Sequence, residues 1–340
     1  MNGVTHAEGY SKQLEAAARF IQTNDDFLVV SHIQPDGDAA GSTFAMAWML
    51  SSLGKKFTLV NEGEMPGKYM YMAASQHTIL NYETVTSDGS MPVSALSFQH
   101  VISVDCADYS RMGKVCELFS EDVALLNIDH HATNDLFGSV NLVQSEAAAT
   151  VEILYDLGNY LNLPFSDELN ICIYSGLLTD TGGFRYASTS PKVMQIAADL
   201  LQRGVKGHEL AEHLLEKLTY PQISLLKKSL NTLTFDKSTR IGWLAVSIED
   251  LSSSGASNDD LDGLVNYPRN VEGVEVGLLF KERAGGIVKV SLRSGGNMDV
   301  ARIAQSFGGG GHMRAAGCTI HGSLQEAIDQ VVREVGKALA

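Results

Sequence analysis

Short apolar runs alternate with amphipathic stretches through the first part of the chain. The apolar runs are rich in β-branched residues, have the length of buried strands, and cover residues 27–31, 56–61, 100–104 and 123–128. The amphipathic stretches have the spacing and termini of helices and cover residues 39–53, 147–161, 166–178, 191–203, 208–215 and 221–230. Strands that alternate with helices predict an α/β domain built on a doubly wound, mainly parallel sheet.

The pattern changes near Thr232, where apolar and polar positions begin to alternate at short spacing. Strands are predicted at 243–248, 274–280 and 286–292, a loop at 252–258 and a helix at 300–306. An amphipathic helix from Ser323 to Ala338 begins with a Ser323–Glu326 capping box. We therefore predict a catalytic domain at 1–215, a helical linker at 216–232 and a smaller α/β domain at 233–340, with a cleft between the domains.

Length, composition and cysteine usage limit the class of protein. The 340 residues favour two domains, and 44% hydrophobic with 19% charged residues is ordinary for a globular chain. No apolar run reaches the roughly 20 residues that span a bilayer, and the first residues lack a signal-peptide core. The cysteines have no disulfide-framework spacing and stand at Cys106, Cys116, Cys172 and Cys318. These features predict a cytoplasmic protein with reduced thiols.

The formal net charge of −15 bears on the size of any nucleic-acid substrate. Proteins that follow long nucleic acids neutralise many phosphates with a basic face, and the sequence shows no such basic stretch. A nucleotide substrate should therefore be short and held by a few local cations.

Aspartate and histidine motifs follow the predicted strands and one predicted helix. In an open α/β sheet, catalytic groups lie beyond the carboxyl ends of the strands, so these side chains should converge. The motif residues are His32, Asp36, Asp38, Asp105, Asp129, His130, His131 and Asp180. They outnumber the ligands of one cation, which predicts a two-metal hydrolase site. Mixed nitrogen and oxygen ligands suit Mn²⁺, Co²⁺ or Zn²⁺ better than Mg²⁺ or Ca²⁺.

Each motif also has an ordinary structural interpretation. The loop aspartates before the predicted helix at 39–53 could cap that helix, and Asp105 could cap a turn. Glycines after Asp180 are typical of a helix end, but an aspartate there opposes the helix dipole, which favours a ligand role. Adjacent His130 and His131 must point in different directions, so we expect different functions for them, with Asp129 orienting an imidazole.

A second motif contains Gly308 to Gly311, His312 and Arg314, followed by small residues. Four glycines are common in flexible linkers, but here they join a predicted helix to a predicted strand. Glycines allow close backbone approach to a phosphate, and the two side chains supply positive charge. No Walker lysine follows, and no GxGxxG stands after a strand, which excludes P-loop nucleotide triphosphatases and dinucleotide oxidoreductases.

Together these motifs resemble those of the DHH phosphoesterase family, and the glycine, His312 and Arg314 segment resembles its DHHA1 substrate-binding domain. The resemblance covers nearly the whole chain. The length and the lack of appended domains are similar to the stand-alone bacterial nanoRNase and pAp phosphatase group. The first motif reads His-Ile-Gln-Pro-Asp-Gly-Asp, which varies the loop at Gln34 and Pro35 but keeps all three ligands.

The resemblance implies two Mn²⁺ ions, with Co²⁺ or Mg²⁺ as alternatives, and a function for each motif residue. One ion would bind His32, Asp36 and Asp105, and the second would bind Asp38, Asp105, His130 and Asp180. Asp105, Asp129 and His131 would be catalytic, with His131 near the scissile phosphate. Substrate phosphate would bind Gly309, Gly310, Gly311, His312, Arg314 and, with weaker support, Arg293.

The resemblance also implies a reaction. Short RNA oligonucleotides would be hydrolysed to mononucleotides, and 3′-phosphoadenosine 5′-phosphate (pAp) would be dephosphorylated, by in-line attack of a metal-bridging hydroxide. The glycine motif disfavours a pyrophosphatase, and the length and acidity disfavour a processive exonuclease. Hydrolysis of linear pApA or cyclic dinucleotides remains an alternative, as does a non-catalytic, metal-dependent nucleotide sensor. A homodimer is compatible with the sequence.

Overall fold

The computed structural model describes residues 2–87, 97–261, 263–296 and 298–339. The chain divides into two compact units, Met1–Lys217 and Leu218–Ala340. No helix among the described residues combines the length and apolar character needed to cross a membrane.

The first unit contains a six-stranded sheet in which every strand pair is parallel. Its strands are β1 Phe27–Val30, β2 Phe57–Asn61, β3 Ile79–Asn81, β4 Phe98–Val104, β5 Phe119–Asp129 and β6 Val140–Val143. They lie in the order β3-β2-β1-β4-β5-β6. The order reverses between β1 and β4, which is the switch point where α/β sheets of this topology bind ligands.

Both faces of this sheet are covered, which confirms the predicted doubly wound fold. The helices of the unit are α1 Asn2–Thr23, α2 Gly37–Ser52, α3 Tyr82–Ser87, α4 Thr150–Tyr160, α5 Asp167–Asp180, α6 Pro191–Gln202 and α7 Gly207–Ala211. The larger core packs α1, α2, α4 and α5 against one face. On the other face, Leu28, Val30 and Val101 pack against a 3₁₀ segment, Tyr109–Leu118. β1 and the central part of β4 are therefore buried on both sides, as expected for parallel strands.

Helices α2 and α5 approach each other closely at two glycines. A Cβ atom on Gly41 would lie 2.9 Å from the Cys172 carbonyl oxygen, and one on Gly176 would lie 3.0 Å from Asp38 Oδ1. A side chain at Gly41 would therefore meet a backbone atom, and one at Gly176, which would also lie 2.7 Å from Val151 Cγ2, would force its neighbours to shift. This packing places the end of α5 beside the start of α2.

The second unit contains a six-stranded mixed sheet, in which only β8 and β9 pair in parallel among the described strands. The helices are α8 Tyr220–Leu230, α9 Ile248–Ser254, α10 Asn266–Arg269, α11 Val300–Ser306 and α12 Leu324–Leu339. The strands are β7 Thr234–Phe235, β8 Ile241–Val246, β9 Val276–Arg283, β10 Ile287–Ser294, β11 Gly310–His312 and β12 Ala315–His321, in the order β11-β12-β10-β9-β8-β7. The predicted smaller α/β domain is confirmed.

Several elements differ from the sequence-based predictions. The helix expected at 208–215 is the short α7 followed by a π-helical turn, Glu212–Glu216. The loop expected at 252–258 begins later, because α9 extends through Ser254. The last residues of the glycine motif, Gly310 to His312, form strand β11. Helix α1 and the short strands β3 and β6 were not predicted.

Candidate metal centre

The first ligand loop leaves the sheet at the end of β1 and is held there by a neighbouring strand. Asn61, the last residue of β2, accepts a hydrogen bond from the Ser31 amide at 3.1 Å and donates one to the Ser31 hydroxyl at 2.7 Å. Gln34 has a positive φ of 62°, which turns the chain toward α2. Asp36 then caps α2 by accepting hydrogen bonds from the Asp38 and Ala39 amides. The capping interpretation of Asp36 is therefore confirmed.

His32, Asp36 and Asp105 form one group of potential ligands within this unit. His32 Nε2 lies 3.5 Å from Asp105 Oδ2 and 4.0 Å from Asp36 Oδ1. His32 Nδ1 lies 3.0 Å from the Ile33 carbonyl oxygen. Because a carbonyl can only accept, Nδ1 is the donor in that bond, which leaves Nε2 facing the carboxylates.

Asp38, His130 and Asp180 form a second group. His130 Nε2 lies 3.6 Å from Asp180 Oδ2 and 3.9 Å from Asp38 Oδ2. His130 Nδ1 lies 3.2 Å from the Ala147 carbonyl oxygen, so this imidazole is oriented in the same way as His32. The side chains come from α2, from the end of β5 and from the last residue of α5.

Asp105 lies between these groups. Its Oδ2 faces His32, whereas its Oδ1 lies 3.7 Å from His130 Nε2 and 3.8 Å from His131 Nδ1. The residue follows β4 with a positive φ of 60°, and its amide donates to the Ile128 carbonyl at 2.9 Å. A non-glycine residue in this conformation is uncommon and is found preferentially at functional sites.

His131 is held by a buried hydrogen-bond network. Its Nδ1 lies 2.7 Å from Asp129 Oδ1, and Asp129 is fully buried. Asn134 donates to Asp129 Oδ2 at 2.7 Å and contacts Asn127 Oδ1 at 3.0 Å. The carboxylate is thus fixed from both sides and fixes the imidazole in turn.

Burial and nearby charges shift the pKa values of this cluster, upward for Asp38, Asp180 and His32 and downward for Asp105. Burial, followed by the charges of Asp105 and Asp180, raises the pKa of Asp38 well above its usual range, and burial together with Asp36 and Asp105 does the same for Asp180. Burial alone would raise the pKa of Asp105, but the hydrogen bond from His32 and the nearby imidazoles lower it. Burial alone would lower the pKa of His32, yet Asp105 and Asp36 raise it to about 9.

This electrostatic arrangement fits divalent cations. Asp38 and Asp105 are 1% and 2% exposed, and buried carboxylates that face one another are costly without a compensating charge. The donor set combines imidazole nitrogens and carboxylate oxygens within bonding reach of a shared centre. The structure therefore brings together all the predicted ligands of the first unit as candidate metal-binding groups.

Sequence reasoning missed the residues that support these ligands. Thr150 is fully buried at the start of α4, where its amide and hydroxyl donate to Asp38 and Asp105. Asn134 supports Asp129, as described above. A threonine that follows a run of small residues signals a helix start, but no local pattern reveals which distant carboxylates it contacts.

The predicted substrate residues of the second unit lie on β10, on β11 and in the chain that flanks β11, with Arg314 between β11 and β12. Arg293 is paired with Ala315, and the Arg314 carbonyl accepts the Ser294 amide at 3.1 Å. His312 and Arg314 are exposed.

Two glycines of the motif have a packing function. A Cβ on Gly309 would lie 2.7 Å from Cys318 Cα, and one on Gly311, where φ is 140°, would lie 2.5 Å from the Ala315 carbonyl oxygen. β11 can therefore lie against β12 only with glycine at these positions. Gly310 has open space at its Cα, and binding of phosphate by these glycines stays a prediction.

Comparisons with known families agree with this site. Residues 26–177 match the DHH family, N-terminal domain, and residues 242–340 match the DHHA1 domain. The chain therefore belongs to the DHH/DHHA1 family of phosphoesterases, and its His and Asp groups are typical of a DHH metal site.

Two relatives that align over nearly their full length carry the same name. The chain is 33% identical to the "bifunctional oligoribonuclease and PAP phosphatase NrnA" of Thermus thermophilus, over 100% of this chain and 98% of that protein. It is 25% identical to the Bacillus subtilis protein of the same name, over 93% and 96% of the two chains. A crystal structure of an exopolyphosphatase-related protein from Bacteroides fragilis has a TM-score of 0.84 at 24% identity, over 97% and 96% of the chains, which shows a shared fold.

Proposed function

We propose that this phosphoesterase hydrolyses short RNA oligonucleotides to mononucleotides and removes a phosphate from pAp. The observation that carries the proposal is the pair of ligand groups that meet at Asp105. The names of the full-length relatives support the choice of substrates. The acidic net charge of −15 agrees with substrates that are short.

We assign the two ligand groups to two divalent cations, most simply Mn²⁺, with Co²⁺ or Mg²⁺ as alternatives. His32, Asp36 and Asp105 would hold the first cation. The second would be held by Asp38, Asp105, His130 and Asp180. Such a pair of cations lowers the pKa of a water molecule and offsets negative charge on a phosphate.

The remaining predicted residues would bind and orient the phosphates of the substrate. His131, held by Asp129, is the group we place beside the scissile phosphate, and its side chain is 19% exposed, so it can be reached from solvent. In the second unit, His312 and Arg314, with Arg293 and the glycines Gly309 to Gly311, would hold another phosphate of the substrate. A guanidinium binds phosphate through two parallel hydrogen bonds, which a lysine cannot reproduce.

We further propose residues 1–215 as the catalytic domain and 233–340 as the substrate-binding domain, connected by 216–232. A cytoplasmic location is supported by four free cysteines. The cleft between the domains and a homodimer stay predictions.

The experiment that tests the function compares initial rates with Mn²⁺ on a panel of substrates. The panel contains RNA of two to five nucleotides, a long single strand, pAp, linear pApA, a cyclic dinucleotide and pyrophosphate. We expect the short RNAs and pAp to be hydrolysed fastest, with mononucleotides as the RNA products.

Other outcomes separate the alternatives. Preference for pApA or the cyclic dinucleotide would reassign the protein to dinucleotide hydrolysis and leave the metal site unchanged. Preference for pyrophosphate or the long strand would refute the proposal. Binding without turnover on every substrate would indicate a nucleotide sensor.

A further inference from the structure

The start of α4 contacts potential ligands that come from three different parts of the first unit. The Ala147 carbonyl accepts from His130 Nδ1 at 3.2 Å. The Thr150 and Val151 amides donate to the two carboxylate oxygens of Asp38, at 2.6 and 3.1 Å. A single short segment therefore holds side chains that come from separate elements of the first unit.

Thr150 differs from its neighbours because it contacts both ligand groups. Its amide donates to Asp38 of the second group, and its hydroxyl lies 2.9 Å from Oδ1 of Asp105, which belongs to the first group and also faces His130 of the second. Because a carboxylate in this setting only accepts, the hydroxyl is the donor. Thr150 is fully buried, so this bond is shielded from bulk solvent.

The hydroxyl contact distinguishes the two oxygens of Asp105. Oδ1 faces His130, and Oδ2 faces His32. Rotation about the Cβ–Cγ bond would exchange or tilt these oxygens, since the carboxyl torsion is broad in the absence of a fixed partner. The bond from Thr150 to Oδ1 opposes that rotation and keeps one oxygen directed at each ligand group.

The position of Thr150 is itself fixed by a buried acid. Glu152 is 3% exposed, and its Oε2 accepts from the Ala148 amide at 2.8 Å, while Oε1 lies 3.1 Å from Lys192 Nζ. The bond from Ala148 to Glu152 links the residues on either side of Thr150 and so fixes the first turn of α4. The directions of the Thr150 amide and hydroxyl are therefore fixed as well.

We infer that Thr150 is a positioning residue that orients the shared Asp105 carboxylate toward both cation positions and so couples them. The inference rests on the proposed metal site. It assigns the hydroxyl of Thr150 a function that the amide alone cannot supply, because the amide contacts only Asp38.

The test is a Mn²⁺ titration of the full-length protein, in which the electron paramagnetic resonance signal of free Mn²⁺ measures binding. Thr150→Val removes the hydroxyl and keeps the shape and the amide, and we expect about 10- to 100-fold weaker binding. Thr150→Ser restores a hydroxyl and should bind nearly as wild type does. Thr43→Val is the matched control, because Thr43 is equally buried but its hydroxyl bonds only the Ala39 carbonyl.

Thr150→Ala serves as a second loss variant in case the valine methyl prevents folding, and melting curves without metal show that each variant is folded. Wild-type affinity in both loss variants, or an equal loss in Thr43→Val, would overturn the inference. If the wild-type protein itself bound no Mn²⁺, the proposed metal site would be wrong, which is a different result.

Discussion

At the scale of single residues, the candidate metal ligands could be predicted from the sequence, whereas the residues that hydrogen-bond to those ligands could not. His32, Asp105 and His130 follow strands that need no polar side chain, so their presence there indicated a site. Thr150 could not be predicted in the same way, because its partners Asp38 and Asp105 are more than forty positions away along the chain. Contacts of this kind follow from the packing of α4, which local patterns do not encode.

Asp105→Asn tests the central carboxylate. The amide has the same shape but lacks the charge that the two proposed cation positions would share, so we expect turnover to fall by at least about 1000-fold, since metal catalysis contributes several kcal/mol. The measurement is the rate on pAp and on dinucleotide RNA with saturating Mn²⁺. Asp135→Asn, at an exposed position, is the control. Substantial turnover in Asp105→Asn would remove the basis of the shared-carboxylate site.

Arg314→Ala tests whether the second unit binds a phosphate of the substrate. Loss of a charge-assisted hydrogen bond worth about 1.5–3 kcal/mol should raise KM for pAp about 10- to 100-fold. A generic reporter ester such as bis(p-nitrophenyl) phosphate should be hydrolysed at nearly the normal rate, because it has no second phosphate to hold. Arg302→Ala, on the exposed surface of α11, should change neither value. An unchanged KM for pAp in Arg314→Ala would mean that this residue does not bind substrate.

At the scale of elements, most apolar strands and amphipathic helices were predictable, whereas the short strands β3 and β6 and the 22-residue helix α1 were not. β3 and β6 have only 3 and 4 residues, and a run that short carries no periodicity to detect. The 208–215 segment has helical spacing, but its second half widens to a π-helical turn, which the spacing does not distinguish. The glycine motif was predicted only to join a helix to a strand, whereas pairing with β12 makes its last residues a strand themselves.

Gly41→Ala tests the contact between α2 and α5. The added methyl group would meet the Cys172 backbone carbonyl, which cannot rotate away, so overpacking should lower the free energy of unfolding by about 1–3 kcal/mol. Gly9→Ala, on α1 with open space around it, should instead stabilise by about 0.5–1 kcal/mol. Chemical denaturation measures both. Equal effects of the two substitutions would show that α2 and α5 are not in close contact.

At the scale of the whole molecule, the fold class and the two-unit organisation followed from the change of pattern near Thr232. The candidate metal-binding cluster also affects the whole molecule, because its shifted pKa values link global stability to pH. His32 has a pKa near 9 in the folded protein against 6.5 otherwise, so its contribution is fully present below pH 6.5 and is lost as pH rises through 9. The raised pKa values of Asp38 and Asp180 act in the same direction.

We therefore expect the Tm of the metal-free protein to fall between about pH 6.5 and 9, and the increase in Tm on adding Mn²⁺ to grow over the same range, because metal ligands must be deprotonated. Thermal melts with a chelator and with Mn²⁺ measure both quantities. His32→Gln should flatten the metal-free curve, whereas His208→Gln, at an exposed position, should not. A metal-free Tm that rises across this range would contradict the linkage.

The two sheets differ in how far apart their paired strands lie along the chain, and this sets the order in which they can fold. In the second unit, Arg283 of β9 pairs with Ile287 of β10, so a tight hairpin can form early. In the first unit, Phe27 of β1 pairs with His100 of β4, so this central pairing requires closure of a much longer loop. The candidate metal ligands extend from His32 to Asp180 over that slower sheet. In refolding experiments, Mn²⁺ binding should therefore be among the last events. The time course of Mn²⁺ binding would then report when the native state is complete.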